Sequence, residues 1–480
     1  MATPASPRPS SLGATARLSL DTTARPVPLR LVNGVNGAGV SGNYWLDLTP
    51  WYQRWQIPVA RLHDAPFDAH NTVDLHHLFP DPTADPDDPD SYEFALTDDL
   101  LGHLRDAGIE IYFRLGESIE HQPRLMWNSQ HRWDPEALAR VCANVVRHYN
   151  HGWADGHAWG IRWWEFWNEP HGPKNWDGTP QELFDRYDRV AHAIKQVDPE
   201  LRVGLSGFAT SVLQPDSAWG QGIAELAERG VPVDFVSWHA YLPDLGTITT
   251  ASQAVRAFLD DCGLTGAESH LGEWSLRPVH GDGRRTIFSA YKAQRHDHVA
   301  RLTEQMQGPA GLAHTLGALL VMQSAPIDQA HYYSANTSPR WGLFDASGQP
   351  NHRGLAFDIF AQLLRSGGDH WPLTCSDPEV VGAAVGRGKR GLRVVVANVD
   401  EEVDLARVTI EHPVPLVVDQ LTIHDAVDRL AILPPATGQE AGRTIIDVPL
   451  AGSGVAVVDL VPGTSEQLSS AAGAGTAGDW

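Results

Sequence analysis

Two glutamates that end apolar segments are the residues of this sequence best suited to chemistry. Glu169 follows the aromatic run 161–167, and Pro170 after it cannot continue a strand ladder. Glu273 closes a second, shorter apolar run further along the chain. Two carboxyl groups about 5–5.5 Å apart can cleave a glycosidic bond with retention, one attacking the anomeric carbon while the other protonates the leaving oxygen. The pair is therefore a candidate acid/base and nucleophile.

The elements that must position these glutamates are strands of a predicted parallel barrel. Eight apolar runs alternate with segments of helical periodicity, such as 134–149 and 180–197, the first of which opens with Asp134 and Pro135 as cap and first residue. The eight predicted strands are Leu29–Val35, Val59–His63, Ile109–Leu115, Ile161–Trp167, Val203–Phe208, Phe235–Tyr241, His270–Trp274 and Ala330–Tyr333. Eight strand–helix units predict an α/β fold, a (β/α)8 TIM barrel. The two glutamates would follow strands four and seven and face one central mouth.

The pattern changes once along the chain, near residue 365. Beyond it, short alternating strands without a long helix predict a smaller C-terminal β-sandwich domain. Both ends are rich in small or polar residues. We expect a flexible N-terminal arm over 1–27, the barrel over 28–365, the sandwich over 366–462 and a disordered tail over 463–480.

Composition narrows the class of protein and its partners. The 480 residues carry a formal net charge of −23, which repels nucleic acids and anionic membranes. No run of about 18 apolar residues occurs that could span a bilayer, and the N-terminus lacks the apolar segment of a signal peptide. The three cysteines form no paired motif. We expect a cytoplasmic protein without nucleic-acid or membrane partners, and the sequence leaves a homo-oligomer open.

Two motifs carry a resemblance to a known family. Trp164-Glu-Phe-Trp-Asn-Glu-Pro170 and Gly272-Glu-Trp274 resemble the acid/base and nucleophile motifs of clan A, the retaining (β/α)8 glycoside hydrolases. Within that clan the chain most resembles glycoside hydrolase family 39, the family of β-xylosidases and α-L-iduronidases. Ala60-Arg-Leu-His-Asp64 and Val236-Ser-Trp-His-Ala-Tyr241 support the resemblance. It covers roughly residues 30 to 365.

The resemblance implies roles for particular residues. Glu169 would be the acid/base and Glu273 the nucleophile, and Asn168 resembles the asparagine of the clan that binds the sugar 2-hydroxyl. Tyr241 would donate its hydroxyl to Glu273 and keep that carboxylate ionised. His239 would contact substrate or Glu169. Burial and the charge of Glu273 are expected to raise the pKa of Glu169.

Further residues at predicted strand ends are candidates for the substrate pocket. Glu165 shares the inward parity of Glu169 and is expected to pair with a basic residue such as Arg61 lower in the barrel. Glu117 would bind a sugar hydroxyl or pair with Arg114. Four further residues are candidates for the pocket, and a structural role in the core is an equal alternative for each: Arg61, His63, Tyr333 and Trp341.

The predicted activity is retaining, exo-acting hydrolysis of short oligosaccharides or glycosides by double displacement, with a β-xyloside as the first guess for the substrate. The alternatives are a transglycosidase, a glycosidase for another sugar (arabinose, galactose or glucose), and a catalytically dead carbohydrate-binding barrel. The sequence contains no His-Glu-x-x-His motif and no glycine-rich phosphate loop. It therefore predicts no metal site and no cofactor.

Overall fold

The structure, a computed structural model, describes residues 14–41, 46–62, 72–117, 134–172, 175–176, 178–278, 290, 292–338, 340–425, 431–433, 437–440 and 442–464. Its strands, in chain order, are β1 Ala14–Asp21, β2 Val27–Pro28, β3 Gly34–Asn36, β4 Val40–Ser41, β5 Leu46–Asp47, β6 Val59–Arg61, β7 Glu110–Leu115, β8 Trp163–Phe166, β9 Arg202–Ala209, β10 Phe235–Leu242, β11 Glu268–Leu276, β12 Gln329–Tyr332, β13 Asp369–Pro372, β14 Thr374–Cys375, β15 Val380–Arg387, β16 Gly391–Asn398, β17 Val403–Glu411, β18 Leu416–His424, β19 Ala431–Leu433, β20 Thr437–Glu440, β21 Arg443–Pro449 and β22 Gly454–Pro462. The helices are α1 Thr49–Arg54, α2 Leu75–Leu78, α3 Ala95–Asp106, α4 Pro135–His151, α5 Pro180–Val197, α6 Ala218–Glu228, α7 Gly246–Asp261, α8 His296–Gln307, α9 Pro309–Val321 and α10 His352–Arg365.

Eight described strands close into a parallel barrel in the order β3, β6, β7, β8, β9, β10, β11, β12, with β12 pairing back to β3. This confirms the predicted (β/α)8 barrel, and each predicted strand overlaps an observed one. The first strand differs most, since it spans Gly34–Asn36 where Leu29–Val35 was predicted. The backbone N–H of Leu29 instead donates to the carbonyl of Gly368, outside the barrel.

Local capping explains where the surrounding helices begin. The Asp134 side chain accepts hydrogen bonds from the backbone of Glu136 and Ala137, each at 3.0 Å, at the start of α4. Thr179 and Glu182 form a reciprocal capping box at the start of α5. Both helices thus start at the prolines that follow their caps, and for α4 the cap and the proline were predicted from the sequence.

The barrel interior is layered, with an apolar layer beneath a charged one. The lower layer is the buried cluster of Val59, Tyr112, Trp163 and Phe235. Because side chains on a strand point inward at every second residue, the next inward positions on three of these strands are Arg61, Glu165 and Ser237. These polar side chains are fully buried, so the hydrogen bonds among them determine how the mouth of the barrel is built.

The C-terminal region forms two sheets that share one apolar core. Their strand orders are β14-β1-β17-β21-β20 and β19-β18-β22-β16-β15-β13-β2. Leu18 and Val408 from the first sheet and Val394 and Val458 from the second belong to the same buried cluster. The seven-stranded sheet also packs against α9. The predicted β-sandwich is therefore present and covers one flank of the barrel.

The prediction of a loose arm over residues 1–27 is wrong for Ala14–Asp21. These residues form β1, which pairs in parallel with β17 along its length. Ala16, Leu18 and Leu20 point into the sandwich core while their neighbours are exposed. This alternation of apolar and polar residues outweighs the general composition of the segment. Residues 1–13 and all of the predicted tail beyond Thr464 lie outside the described residues.

No helix within the described ranges is long and apolar enough to cross a membrane.

Candidate active site

Asn168 and Glu169 both turn toward the centre of the barrel mouth, although they are adjacent in sequence. Strand alternation would send them to opposite faces. The backbone departs from it at Trp167 (φ 69°) and Glu169 (φ 45°), two left-handed residues directly after β8. Such conformations cost about 1–3 kcal/mol each and are concentrated at functional sites. The strand end is therefore shaped to present a neighbouring amide and carboxyl group together.

Arg61 is the hub of the polar layer below these two residues. Its guanidinium donates to Glu165 Oε2 at 2.7 Å, to Glu273 Oε1 at 3.0 Å and to Asn168 Oδ1 at 2.8 Å. A fourth hydrogen bond runs to Asn36 Oδ1 at 2.9 Å. Burial lowers the pKa of Arg61, but the charges of Glu165 and Glu273 raise it overall. Arg61 is thus a permanent cation, and the predicted pairing of Glu165 with Arg61 is confirmed.

Glu273 is the more deeply buried of the two glutamates, and both of its oxygens receive hydrogen bonds. Arg61 donates to Oε1, and the hydroxyl of Tyr241 donates to Oε2 at 2.5 Å. Burial raises the pKa of Glu273 to about 7, helped by the charge of Glu169 and opposed by His239, Arg61 and Tyr241. Burial also raises the pKa of Tyr241 well above 10, so its hydroxyl keeps the proton it donates.

Glu169 and Glu273 differ in how deeply their carboxyl groups are buried. The side chain of Glu169 is 33% exposed, compared with 5% for Glu273. Glu169 lies at the open side of the mouth because the left-handed backbone lifts it out of the strand. Burial therefore acts most strongly on the partner carboxyl group.

His239 lies between the two carboxyl groups. Its Nδ1 is 2.8 Å from Glu169 Oε1 and 3.5 Å from Glu273 Oε2. One oxygen of each glutamate and a nitrogen of this ring all lie within 4.8 Å of one another. Burial lowers the pKa of His239 to about 4, so the ring is neutral at neutral pH. The two carboxyl groups thus share one permanent cation, Arg61.

Gly207 on β9 makes room for this arrangement. Its φ of 62° lies in the left-handed region, and a Cβ there would come within 2.5 Å of His239 Nε2 and 3.0 Å of Asn168 Oδ1. Its backbone N–H donates to Ser237 Oγ at 2.7 Å, and Ser237 in turn donates to Glu165. A side chain at this position would push the ring away from Glu169.

Three aromatic rings form a wall beside Glu273. Tyr241 contacts Trp341 at a centroid distance of 5.3 Å and Tyr333 at 6.1 Å, and the last two rings are 6.2 Å apart. All three are partly exposed, as a sugar-binding surface requires. Tyr332, in contrast, is fully buried and packs on Trp274.

Glu117 is not part of the Arg61 network among the described contacts. It accepts a hydrogen bond from the backbone N–H of His76 at 3.1 Å and also contacts the ring of that residue. Arg114 pairs with Asp74 at 2.6 Å, so the alternative of a Glu117–Arg114 pair is wrong. The physical reason is that Asp74, in the loop after the second barrel strand, supplies the carboxylate that pairs with Arg114. The candidate His63 lies outside the described residues.

Three polar residues that complete the site were not predicted from the sequence. Asn36 holds Arg61 and donates to the carbonyl of Gly272 at 2.9 Å. Ser237 supports Glu165. His171 lies close enough to Glu169 to be influenced by its charge, although burial lowers its pKa overall. Asn36 and Ser237 each lie on a strand, so inward parity is the feature by which they could have been found.

The geometry suits two carboxyl groups that act on one bond. One oxygen of Glu169 lies within 4.8 Å of one oxygen of Glu273, which is compatible with the separation of about 5–5.5 Å between the carboxyl groups in retaining hydrolysis. Glu273 has two donors that favour its charged form, whereas Glu169 contacts a neutral ring. Their environments therefore differ, as acid and nucleophile roles require.

Comparison with known proteins gives a consistent result. The sequence model of the glycosyl hydrolases of family 39 matches residues 64–260. A β-xylosidase of Geobacillus stearothermophilus is 42% identical over 36% of this chain and 41% of its own length. A β-xylosidase of Caldicellulosiruptor saccharolyticus is 30% identical over 34% of each chain. The chain thus matches less than half the length of these relatives.

The fold is shared much more widely than the sequence. The solved structure of a glucosidase from Croceicoccus marinus has a TM-score of 0.69 and 23% identity, and the match covers 94% of this chain and all of the other. The barrel and the sandwich thus occur together in a solved protein.

Proposed function

We propose that the chain is a glycosyl hydrolase of family 39, a retaining, exo-acting enzyme with Glu273 as nucleophile and Glu169 as acid/base. The observation that carries this proposal is the approach of the two carboxyl groups within 4.8 Å of each other. At this distance one carboxylate can reach the anomeric carbon while the other reaches the oxygen that leaves from it.

In the first step, a carboxylate oxygen of Glu273 attacks the anomeric carbon as the bond to the leaving oxygen breaks. Glu169 gives its proton to that oxygen, and a glycosyl ester of Glu273 forms. In the second step, Glu169 removes a proton from water, whose oxygen attacks the same carbon and releases Glu273 as a carboxylate. Two inversions give net retention, and no cofactor is needed.

Hydrogen bonds to Glu273 oppose the effect of burial and favour its ionised form. Arg61 and Tyr241 each donate to Glu273, and donors to a carboxylate favour its ionised form. Glu169 faces the neutral ring of His239, whose Nδ1 can accept from a protonated carboxyl group or donate to an ionised one. His239 is therefore a positioning residue that fits both states through which Glu169 must pass.

Asn168 and the aromatic wall would bind the sugar. Arg61 fixes the Oδ1 of Asn168 at 2.8 Å, which orients the side-chain amide next to Glu169 for contact with the sugar 2-hydroxyl. The partly exposed rings of Tyr333 and Trp341 offer an apolar surface to one face of the sugar. These features and the β-xylosidase relatives support a β-xyloside as substrate.

A panel of nitrophenyl glycosides tests the proposed substrate. We expect the β-xyloside to give the highest kcat/KM, ahead of the β-glucoside, the β-galactoside and both arabinosides. A higher kcat/KM for another sugar would show that the proposed substrate is wrong, but it would not contradict the proposed mechanism. No turnover of any glycoside by folded protein would favour the carbohydrate-binding barrel, and products longer than the substrate would favour a transglycosidase.

Tyr241→Phe should alter the pH profile of the enzyme. Glu273 must be ionised to attack, so kcat/KM should rise with pH through the pKa of Glu273, about 7 in this structure. The hydrogen bond from Tyr241 lowers this pKa, and its loss should move the acidic limb to higher pH. We also expect a fall in kcat/KM of about tenfold to a hundredfold, the scale of a hydrogen bond to a charged group.

Tyr187→Phe is the matched control for this variant. Tyr187 is also buried, and its hydroxyl donates to the carbonyl of Pro232 at 2.7 Å, on the outside of the barrel. The Tyr187→Phe substitution should lower the melting temperature of the protein without shifting the pH profile of kcat/KM. An unchanged acidic limb in Tyr241→Phe would contradict the assigned contact with an ionised Glu273.

A further inference from the structure

Asp98, His148 and His157 form a cluster of ligand atoms in the outer layer of the barrel, separate from the paired carboxyl groups. Asp98 lies on α3, His148 on α4 and His157 in the loop that follows α4. Nε2 of His148 is 3.0 Å from Asp98 Oδ1, and Nε2 of His157 is 3.5 Å from Asp98 Oδ2. One ligand atom from each residue lies within 4.8 Å of the others.

The hydrogen bond at Nδ1 of His148 orients the ring so that Nε2 faces Asp98. Nδ1 of His148 is 3.0 Å from the carbonyl oxygen of Trp153. A carbonyl only accepts, so Nδ1 carries the hydrogen and Nε2 of a neutral ring presents its lone pair to Asp98. A lone pair facing a carboxylate is unfavourable unless a proton or a metal ion lies between them. A ring nitrogen held by a backbone carbonyl is also the usual support of a metal-binding histidine.

His157 gives a second, independent observation. Its Nε2 is buried and has no hydrogen-bond partner within the part of the chain that the structure describes, although an unpaired buried nitrogen is costly. The ring stacks on Trp159 at a centroid distance of 3.9 Å, and the ring of His148 stacks on Phe94 at 3.5 Å. Both imidazoles are thus oriented by packing before any ligand arrives.

The loop that carries His157 is built at a cost. Ala154 and Asp155 both have left-handed backbones, with φ values of 55° and 54°, and neither is glycine. A Cβ on Gly156 would lie 2.6 Å from Nδ1 of His148 and 2.7 Å from the carbonyl oxygen of Trp153. Strained backbone of this kind persists where it serves a function. Here it brings His157 to Asp98.

We propose that Asp98, His148 and His157 bind one divalent transition-metal ion, with Zn²⁺ as the best match. Imidazole and carboxylate are ligands that zinc accepts, and its bond lengths of about 2.0–2.2 Å place neighbouring tetrahedral ligands roughly 3.4 Å apart. The observed separations are of this size, 3.0 Å from His148 Nε2 to Asp98 Oδ1 and 3.5 Å from His157 Nε2 to Asp98 Oδ2. Asp98 and His157 are 26% and 31% exposed, so a water molecule can complete the coordination. The ion would join α3, α4 and the loop.

The sequence predicts no such site because its ligands form no short motif. Asp98 comes from a different helix, far from the two histidines in sequence, and the histidines themselves lie on a helix and in a loop. The spacing matches none of the familiar zinc patterns. The three come together only because α3 lies beside α4 and the turn after α4 brings His157 back to His148.

The test is calorimetric titration of the metal-free, full-length protein with zinc chloride. Wild type should bind zinc at this site. In His157→Ala the affinity of the site for zinc should fall by more than about tenfold, since altering the surroundings of a bound metal already costs that much. Zinc should also raise the melting temperature of wild type, because the ion binds only the folded chain, and this increase should shrink in His157→Ala. Asp98→Asn, which preserves side-chain size, should behave alike and serves if His157→Ala does not fold.

His192→Ala is the matched control, because His192 also pairs with an aspartate, Asp188, but on the exposed surface of α5. It should retain the zinc binding of wild type. His76 belongs to another cluster of potential ligands, with Asp74 and Glu117, so His76→Ala should also retain the zinc binding that His157→Ala loses. Absence of zinc binding to wild type, or equal binding by wild type and His157→Ala, would overturn the proposal.

Discussion

Glu273→Ala is expected to lower kcat by at least roughly four orders of magnitude, the scale of loss when a covalent nucleophile is removed. Without this carboxylate no glycosyl ester can form. Glu169 alone cannot direct water to the face of the sugar from which the leaving group departs. Added azide should fit the space of the lost carboxylate and displace the leaving group once. The product should then be a glycosyl azide of inverted configuration, which mass spectrometry and NMR would identify.

Glu268→Gln is the control for this loss. Glu268 starts the same strand, β11, and pairs with Arg202 at 2.7 Å and His270 at 2.9 Å at the opposite end of the barrel. Its replacement should leave kcat close to the wild-type value even if the melting temperature falls. A Glu273→Ala variant that is folded and retains a tenth of wild-type activity would show that another residue attacks the anomeric carbon.

Glu169→Ala is expected to depend strongly on the leaving group. General acid catalysis contributes about 10²–10⁴-fold, and glycosides with poor leaving groups should lose this entire factor. A dinitrophenyl leaving group needs no proton, so the first step should stay fast and the glycosyl ester should accumulate. Burst kinetics with this substrate would then report a slow second step, because water has lost its base.

Azide should also rescue Glu169→Ala, but with the opposite stereochemistry. The anion needs no base and attacks the accumulated ester, so two inversions yield a glycosyl azide of retained configuration. The contrast between the two variants assigns the two roles within one experiment. Equal losses for good and poor leaving groups would mean that Glu169 does not donate the proton.

The barrel and the position of the acid/base follow from local features of the sequence. Apolar runs alternate with amphipathic segments, and Pro170 predicts that the strand before Glu169 has ended, so the C-terminal end of a barrel strand is the expected place for this residue. The spacing to Glu273 then allows three further strand–helix units. Inward parity also places Glu165 below Glu169 and beside Arg61.

The details of the site depend on features that no local pattern contains. The left-handed backbone at Trp167 and Glu169 breaks the parity on which strand arguments rest, and it lifts Glu169 toward solvent. Burial consequently acts more strongly on Glu273 than on Glu169. Arg61 on β6 is a hub because its partners come from three other strands, β3, β8 and β11, and from the segment after β8. Such convergence exists only once the barrel has closed.

Proton NMR during the first minutes of hydrolysis tests the central claim most directly. The claim is that Glu169 and Glu273 act by double displacement, as the approach of their oxygens within 4.8 Å implies. The first sugar released from a β-xyloside should be the β anomer, with the α anomer appearing only as mutarotation proceeds. Initial release of the α anomer would demonstrate a single displacement and contradict the proposed mechanism.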